Sequence, residues 1–186
     1  YRNPFGSDTA DPVGQCIDFM DKAVGAMSTG SLAGLIVEPY QGAAGFVFPP
    51  DGFLPAVQKW CHDRDIVFIL DEVQSSFGRT GKFLALEWEN LRPNMVTIGK
   101  GIGSGMPISC LLTESRIMKS LEPGDMSSTW GGNPICCAAS HAILDIFEEE
   151  GLVENARSIG EHMKARLTAM KDRCRCLGDV RGRGLV

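Results

Sequence analysis

Three short apolar runs constrain this chain more than any other feature, because each lacks polar alternation and each stops at an ionisable residue. Leu32–Val37 is followed by Glu38, Ile66–Leu70 by Asp71, and Met95–Ile98, extended by Gly99, by Lys100. Continuous apolar segments of this kind are expected of buried strands in a mostly parallel sheet. Ile108–Leu112 adds a fourth run. Between the first two, Phe53, Leu54, Val57, Trp60 and Cys61 recur at helical spacing, which makes a strand-helix-strand unit and predicts an α/β fold.

Other helices are expected on both sides of this unit. Val13, Ile17, Met20, Val24 and Met27 recur every three to four residues behind Asp11 and Pro12. Residues 133–175 read as mostly helical, with Ala138, Ala139, Ala142, Ile143 and Ile146 on one face, a break at Gly151, and Ile159, Met163 and Leu167 on a second helix. A boundary is expected near Gly178.

In an open α/β sheet, ligands bind outside the carboxyl ends of the strands, so Glu38, Asp71 and Lys100 should converge on one site. Asp71 follows five apolar residues, and a carboxylate starting in a partly desolvated place needs a cationic partner. Lys100 could be that partner in a structural ion pair, or a nucleophile whose amine attacks carbonyl carbon. Gly99, Gly101, Gly103 and Gly105 around it relieve crowding and let a planar ligand approach. A phosphate loop is disfavoured: G-K-G-I-G-S-G has its lysine ahead of the glycines, G-R-T-G-K-F at 78–83 lacks the Walker A spacing, and G-x-G-x-x-G is absent.

The composition narrows the partner. In 186 residues, 44% hydrophobic and 22% charged, the formal charge is -5 and no basic run could neutralise a series of phosphates. A small molecule is therefore expected, not nucleic acid. Seven cysteines, unevenly spaced, do not form a paired metal framework and read as reduced thiols of a cytoplasmic protein. No run is apolar and long enough for a membrane span, and the N-terminus has no secretory pattern. The opening Tyr1-Arg2-Asn3-Pro4, without an initiator Met, reads as the start of an excerpt. His62, His141 and His162 fall on helical stretches without a Ser or Cys nucleophile in an elbow, and Glu148–Glu150 reads as a solvated helix end.

Five motifs in order, E-P-Y-Q-G at 38–42, L-D-E-V-Q at 70–74, G-R-T-G-K-F at 78–83, G-K-G-I-G at 99–103 and S-T-W-G-G-N-P at 128–134, resemble the class III aminotransferases of the omega, ornithine and 4-aminobutyrate type. The likeness runs from about Leu32 to the D-V-R-G-R-G-L tail. It implies the type I pyridoxal phosphate (PLP) fold, with residues 1–178 the central part of the large domain and 179–186 the start of the small C-terminal domain. It also implies that Lys100 carries PLP as a Schiff base, that Asp71 pairs with the pyridine nitrogen, that Val73 packs under the ring, and that Gln74 bonds the phenolic oxygen. Thr129 resembles the threonine that reaches the phosphate of a neighbouring subunit, which implies a homodimer, and Glu38 the glutamate beside the substrate pocket. Read alone, Thr129 would be a turn residue and Glu38 a strand-end loop residue.

One position departs from the family pattern. Members acting on 4-aminobutyrate or ornithine-type substrates commonly carry a glutamate after E-P-x-Q-G, and here that place is Ala43. The departure resembles members that take an amine or omega-amino acid and use pyruvate. The resemblance thus implies transfer of an amino group from such a donor to a 2-oxo acid, pyruvate or 2-oxoglutarate. A PLP racemase, aminomutase or decarboxylase shares Lys100 and Asp71, and a non-catalytic fragment is a further alternative.

Overall fold

A computed structural model describes residues 10–171 and 173–186; the opening Tyr1-Arg2-Asn3-Pro4 lies outside them. Helix α1 (Pro12–Met27) starts where the sequence sets it: the Asp11 side chain accepts from Gly14 N, and Pro12 stands where no backbone donor is needed. Strand β1 (Gly34–Val37), helix α2 (Phe53–His62), and strands β2 (Val67–Asp71), β3 (Met95–Ile98) and β4 (Cys110–Thr113) follow. The short α3 (Ser115–Met118) precedes α4 (Pro134–Glu149) and α5 (Leu152–Lys171). Asn133 caps α4 by accepting from Ile135 N and Cys136 N.

The sheet order is β1-β2-β3-β4, with β1, β2 and β3 parallel and β4 antiparallel to β3. Three apolar runs therefore form the parallel core of the sheet, and the fourth reverses direction. Its residues carry no mark of that reversal, because strand direction is set by the connection and not by the apolar pattern.

Register places Leu35, Val37, Phe68, Leu70, Val96 and Ile98 on one face. There Phe68 and Leu70 join Leu54, Val57, Trp60, Cys61, Ile66 and Leu91 in a buried cluster, against which Ile17, Met20 and Val24 of α1 pack. The opposite face carries Ile36, which is 58% exposed, and Leu111, 39% exposed. The strands are thus buried on one face only, because the described residues supply helices to that side alone. Asp71 and its register partner Thr97 stand on the uncovered face.

Two predicted helix faces are rotated. In α4, Cys136 and Ser140 are buried and Ile143 and Phe147 pack with Phe77, while Ala138, Ala142 and Ile146 are exposed. In α5, Ala156 and Gly160 are buried, whereas Ile159, Met163 and Leu167 face outward. Small residues win because backbone is the neighbour: a Cβ on Gly160 would lie 2.0 Å from the Gly184 carbonyl oxygen. The 182–185 segment runs between α5 and the Arg79–Gly81 turn, with Leu185 N donating to Arg79 O and Lys164 Nζ to Gly182 O. No helix among the described residues is long and apolar enough to cross a membrane.

Candidate active site

The parallel strands β2 and β3 end side by side, and their last residues build the site. Asp71 Oδ1 accepts from Thr97 Oγ1 across the strand pair at 3.0 Å and from Val73 N at 3.0 Å. Both donors fall on the same oxygen, and Oδ2 takes no donor from the described residues. The carboxylate is thereby oriented while one oxygen stays available.

Lys100 follows Gly99 just past β3, with φ at +43°. A left-handed backbone on a residue with a side chain costs about 1 kcal/mol or more and persists where the surroundings impose it. Its Nζ donates to Gln74 Oε1 at 2.7 Å. The structural ion pair with Asp71 that the sequence left open is not made.

Gln74 is held from behind by the E-P-Y-Q-G turn. A Cβ on Gly42 would lie 2.6 Å from Gln74 Cδ, so only glycine lets the turn close this tightly against the amide. Glu38 Oε2 accepts from Gly42 N at 3.1 Å, and Tyr40 Oη donates to Gln74 O at 3.2 Å. Tyr40 is buried and stacks on Phe48. Burial raises its phenol above the usual value, with the Arg79 charge acting in the opposite direction.

A cleft of about 460 Å³, within the range of small-molecule sites, is lined in part by Tyr40, Val73, Gln74, Arg79, Lys100 and Ser104. Val73, Gln74 and Lys100 thus share one space. Of the three strand-end residues expected to converge, only Lys100 lines it: Asp71 is bonded to the Val73 N–H next to it, and Glu38 to the Gly42 N–H. Thr129 lines no part of it: it is exposed, in a stretch from Met118 to Gly132 whose residues are all exposed. Ala43 is exposed in the turn bounded by the Gln41–Val47 bridge. Arg79 and Ser104 went unread in the sequence, since each lies in a glycine-rich turn and only the fold brings it to the cleft. Glu72, also unread, is fully buried, and burial raises its carboxyl above the usual range.

The family described as aminotransferase class-III matches residues 6–186. The chain is 44% identical over 156 residues to the mitochondrial ornithine aminotransferase of Arabidopsis thaliana, covering 83% of this chain and 33% of that protein. It is 43% identical over 175 residues to the 4-aminobutyrate aminotransferase of Mycobacterium tuberculosis, covering 92% of this chain and 38% of that protein. Among solved structures, a thermostable (S)-enantioselective omega-transaminase from Thermomicrobium roseum superposes with a TM-score of 0.90 at 33% identity, over 100% of this chain and 43% of that one. An amine transaminase from an uncultivated Pseudomonas species, in its PLP-bound form, gives 0.90 at 33% identity, over 99% and 44%. The chain therefore spans well under half the length of the proteins it matches.

Proposed function

Because the chain belongs to the class-III aminotransferase family, we propose that the protein is a PLP-dependent aminotransferase moving an amino group from an amine or omega-amino acid to a 2-oxo acid. The observation that carries this reading is the meeting of Lys100 and Gln74 at the rim where Asp71 is fixed by Thr97.

The residues suit the cofactor. A lysine amine, a branched apolar side chain and an amide line a cleft of fitting volume, and an oriented carboxylate with one oxygen left over is bonded to the Val73 N–H beside them. PLP, when bound, supplies a carbonyl that condenses with amines and a ring that withdraws electrons from the substrate carbon.

Lys100 would hold the cofactor covalently through Nζ. Once released by a substrate amine, Nζ would be the base that takes the proton from the substrate carbon and the acid that delivers it to the cofactor's former aldehyde carbon, the shift that amino-group transfer requires. Asp71, with Oδ2 left over, would pair with the pyridine nitrogen and favour its protonated form, since a carboxylate favours a cation beside it. Val73 would pack against the ring, and Gln74 would bond its phenolic oxygen. Glu38 borders the substrate space, and Ala43 leaves no carboxylate where ornithine-type members carry one, which favours a simple amine or omega-amino acid donor.

Thr129, exposed outside the cleft, serves the phosphate of a second subunit, so the working form is a homodimer. Residues 1–178 belong to the large domain and 179–186 open the small one. All seven cysteines are free, in keeping with a cytoplasmic setting. Neither nucleic acid nor membrane is a partner in this reading.

Incubation of the whole protein with PLP and an amine donor, with and without pyruvate or 2-oxoglutarate, tests the proposal. Transamination forms one oxo product per amino acid product and stops without the acceptor. Turnover that needs no acceptor would identify a racemase, aminomutase or decarboxylase instead.

A further inference from the structure

Glu72 has no part in the mechanism above, yet it is the one charged side chain in the fully buried set among the described residues. Its Oε1 accepts from Leu86 N at 2.7 Å, and its Oε2 from Ala85 N at 3.0 Å and Ser75 Oγ at 2.5 Å. Its backbone N–H donates to Thr97 O at 2.9 Å, and its carbonyl accepts from Ser76 N at 3.1 Å. A buried carboxylate without a cation beside it is costly, and an apolar side chain of similar volume would fill the space at less expense. Packing alone is therefore a poor reason for it.

Its neighbours supply a better one. Asp71 stands on the uncovered sheet face, while the next residue turns into the core. One peptide bond thus joins the site's carboxylate to an internal anchor. Thr97 grips both residues, taking the Glu72 N–H on its carbonyl and giving its hydroxyl proton to Asp71 Oδ1. The 72–76 turn, which carries Val73 and Gln74, is pinned to β3 on one side and to the Ala85–Leu86 backbone on the other.

We propose that Glu72 is a positioning residue: by clamping the 72–76 turn to Ala85, Leu86 and Thr97, it fixes Asp71 and Gln74 in the orientation that the cofactor and Lys100 require. It touches neither substrate nor cofactor. The inference rests on the function proposed above. Glu72→Gln keeps the volume but turns one oxygen into an NH₂ that must face N–H or O–H donors, so the clamp loosens while the core stays filled.

The test compares whole PLP-loaded wild type, Glu72→Gln, Ser75→Ala and the remote core variant Val57→Ala. Three quantities are read: the pH midpoint of the cofactor's visible band, kcat against KM, and the melting temperature without cofactor. For Glu72→Gln the midpoint moves by about one pH unit, because a displaced Asp71 changes the charge on the ring that the titrating group senses. Its kcat drops about 10²-fold, as expected of a misplacement near the chemistry, while KM changes by less than about threefold. Ser75→Ala moves both in the same direction by less. Val57→Ala lowers the melting temperature without moving the midpoint.

A Glu72→Gln protein that melts lower but keeps the wild-type midpoint and kcat overturns the inference. If that variant does not fold, an unmoved midpoint and kcat in Ser75→Ala overturn it equally. A wild type with no Lys100-dependent band removes the function reading and this inference together. A wild-type band that Glu72→Gln leaves unchanged removes the inference alone.

Discussion

The Lys100 Nζ lies 2.7 Å from Gln74 Oε1, joining the turn after β3 to the turn after β2 across 26 residues of sequence. The amine is thereby aimed at the cleft before any ligand arrives. The catalytic cost of assembling the site is then partly met in folding, as preorganisation requires.

The contact depends on Gly42. Its backbone is not in the left-handed region, so Gly42→Ala should fold, but the new methyl must displace the Gln74 amide. We expect kcat/KM to fall about tenfold with a melting temperature within about 2 °C of wild type. Steady-state kinetics beside a thermal melt checks this; unchanged kinetics would show that Gln74 need not stay where it is.

Asp71→Asn separates charge from shape. Asn Oδ1 still accepts from Val73 N and Thr97 Oγ1, so stability should change by no more than about 0.5 kcal/mol. Loss of the negative charge should lower kcat about 10²- to 10³-fold. Full activity in this variant would remove Asp71 from the mechanism.

Glu72 gives stability a defined pH dependence. Burial raises its folded-state pKa, so its contribution is complete below the ordinary glutamate value of about 4.3 and is lost as pH rises through the raised folded value. Urea midpoints of wild type minus those of Glu72→Gln should therefore decline from pH 4.3 upward. A difference that stays flat over that window would mean that the carboxyl titrates normally.

Gly160→Ala sets two effects against each other. Ala in a helix interior gains about 1 kcal/mol over Gly. A Cβ 2.0 Å from Gly184 O costs about 1–3 kcal/mol, and Gly184 cannot retreat, since the Thr80–Gly81 backbone packs behind it. The clash wins, and the melting temperature should drop; a rise would show that the 182–185 segment moves freely.

Much of the fold was legible because uniform apolar runs mark strands and three- to four-residue spacing marks helices. β3 ends where its run ends, and α2 buries the Leu54, Val57, Trp60 and Cys61 face that its spacing predicts. What was hidden depends on neighbours remote in sequence. The reversal of β4, the uncovered sheet face, and the choice of Gly160 over Ile159 as the packed face of α5 each follow from what lies across the contact.

The site divides in the same way. Asp71 and Lys100 were legible as charges interrupting apolar runs at strand ends. Glu72 was not, because a carboxylate beside Asp71 in sequence gives no sign that it turns into the core to meet Ala85 and Leu86. The one available signal was its offset of a single residue from Asp71, which at a strand end sends adjacent side chains to opposite faces.

The central claim is that Lys100 holds the cofactor. Borohydride treatment of the PLP-loaded whole protein, followed by digestion and mass measurement of the peptides, tests it most directly. We predict one stoichiometric phosphopyridoxyl group on Lys100, and none when substrate amine is added first in excess. Label on another lysine, or no label at all, would contradict the account.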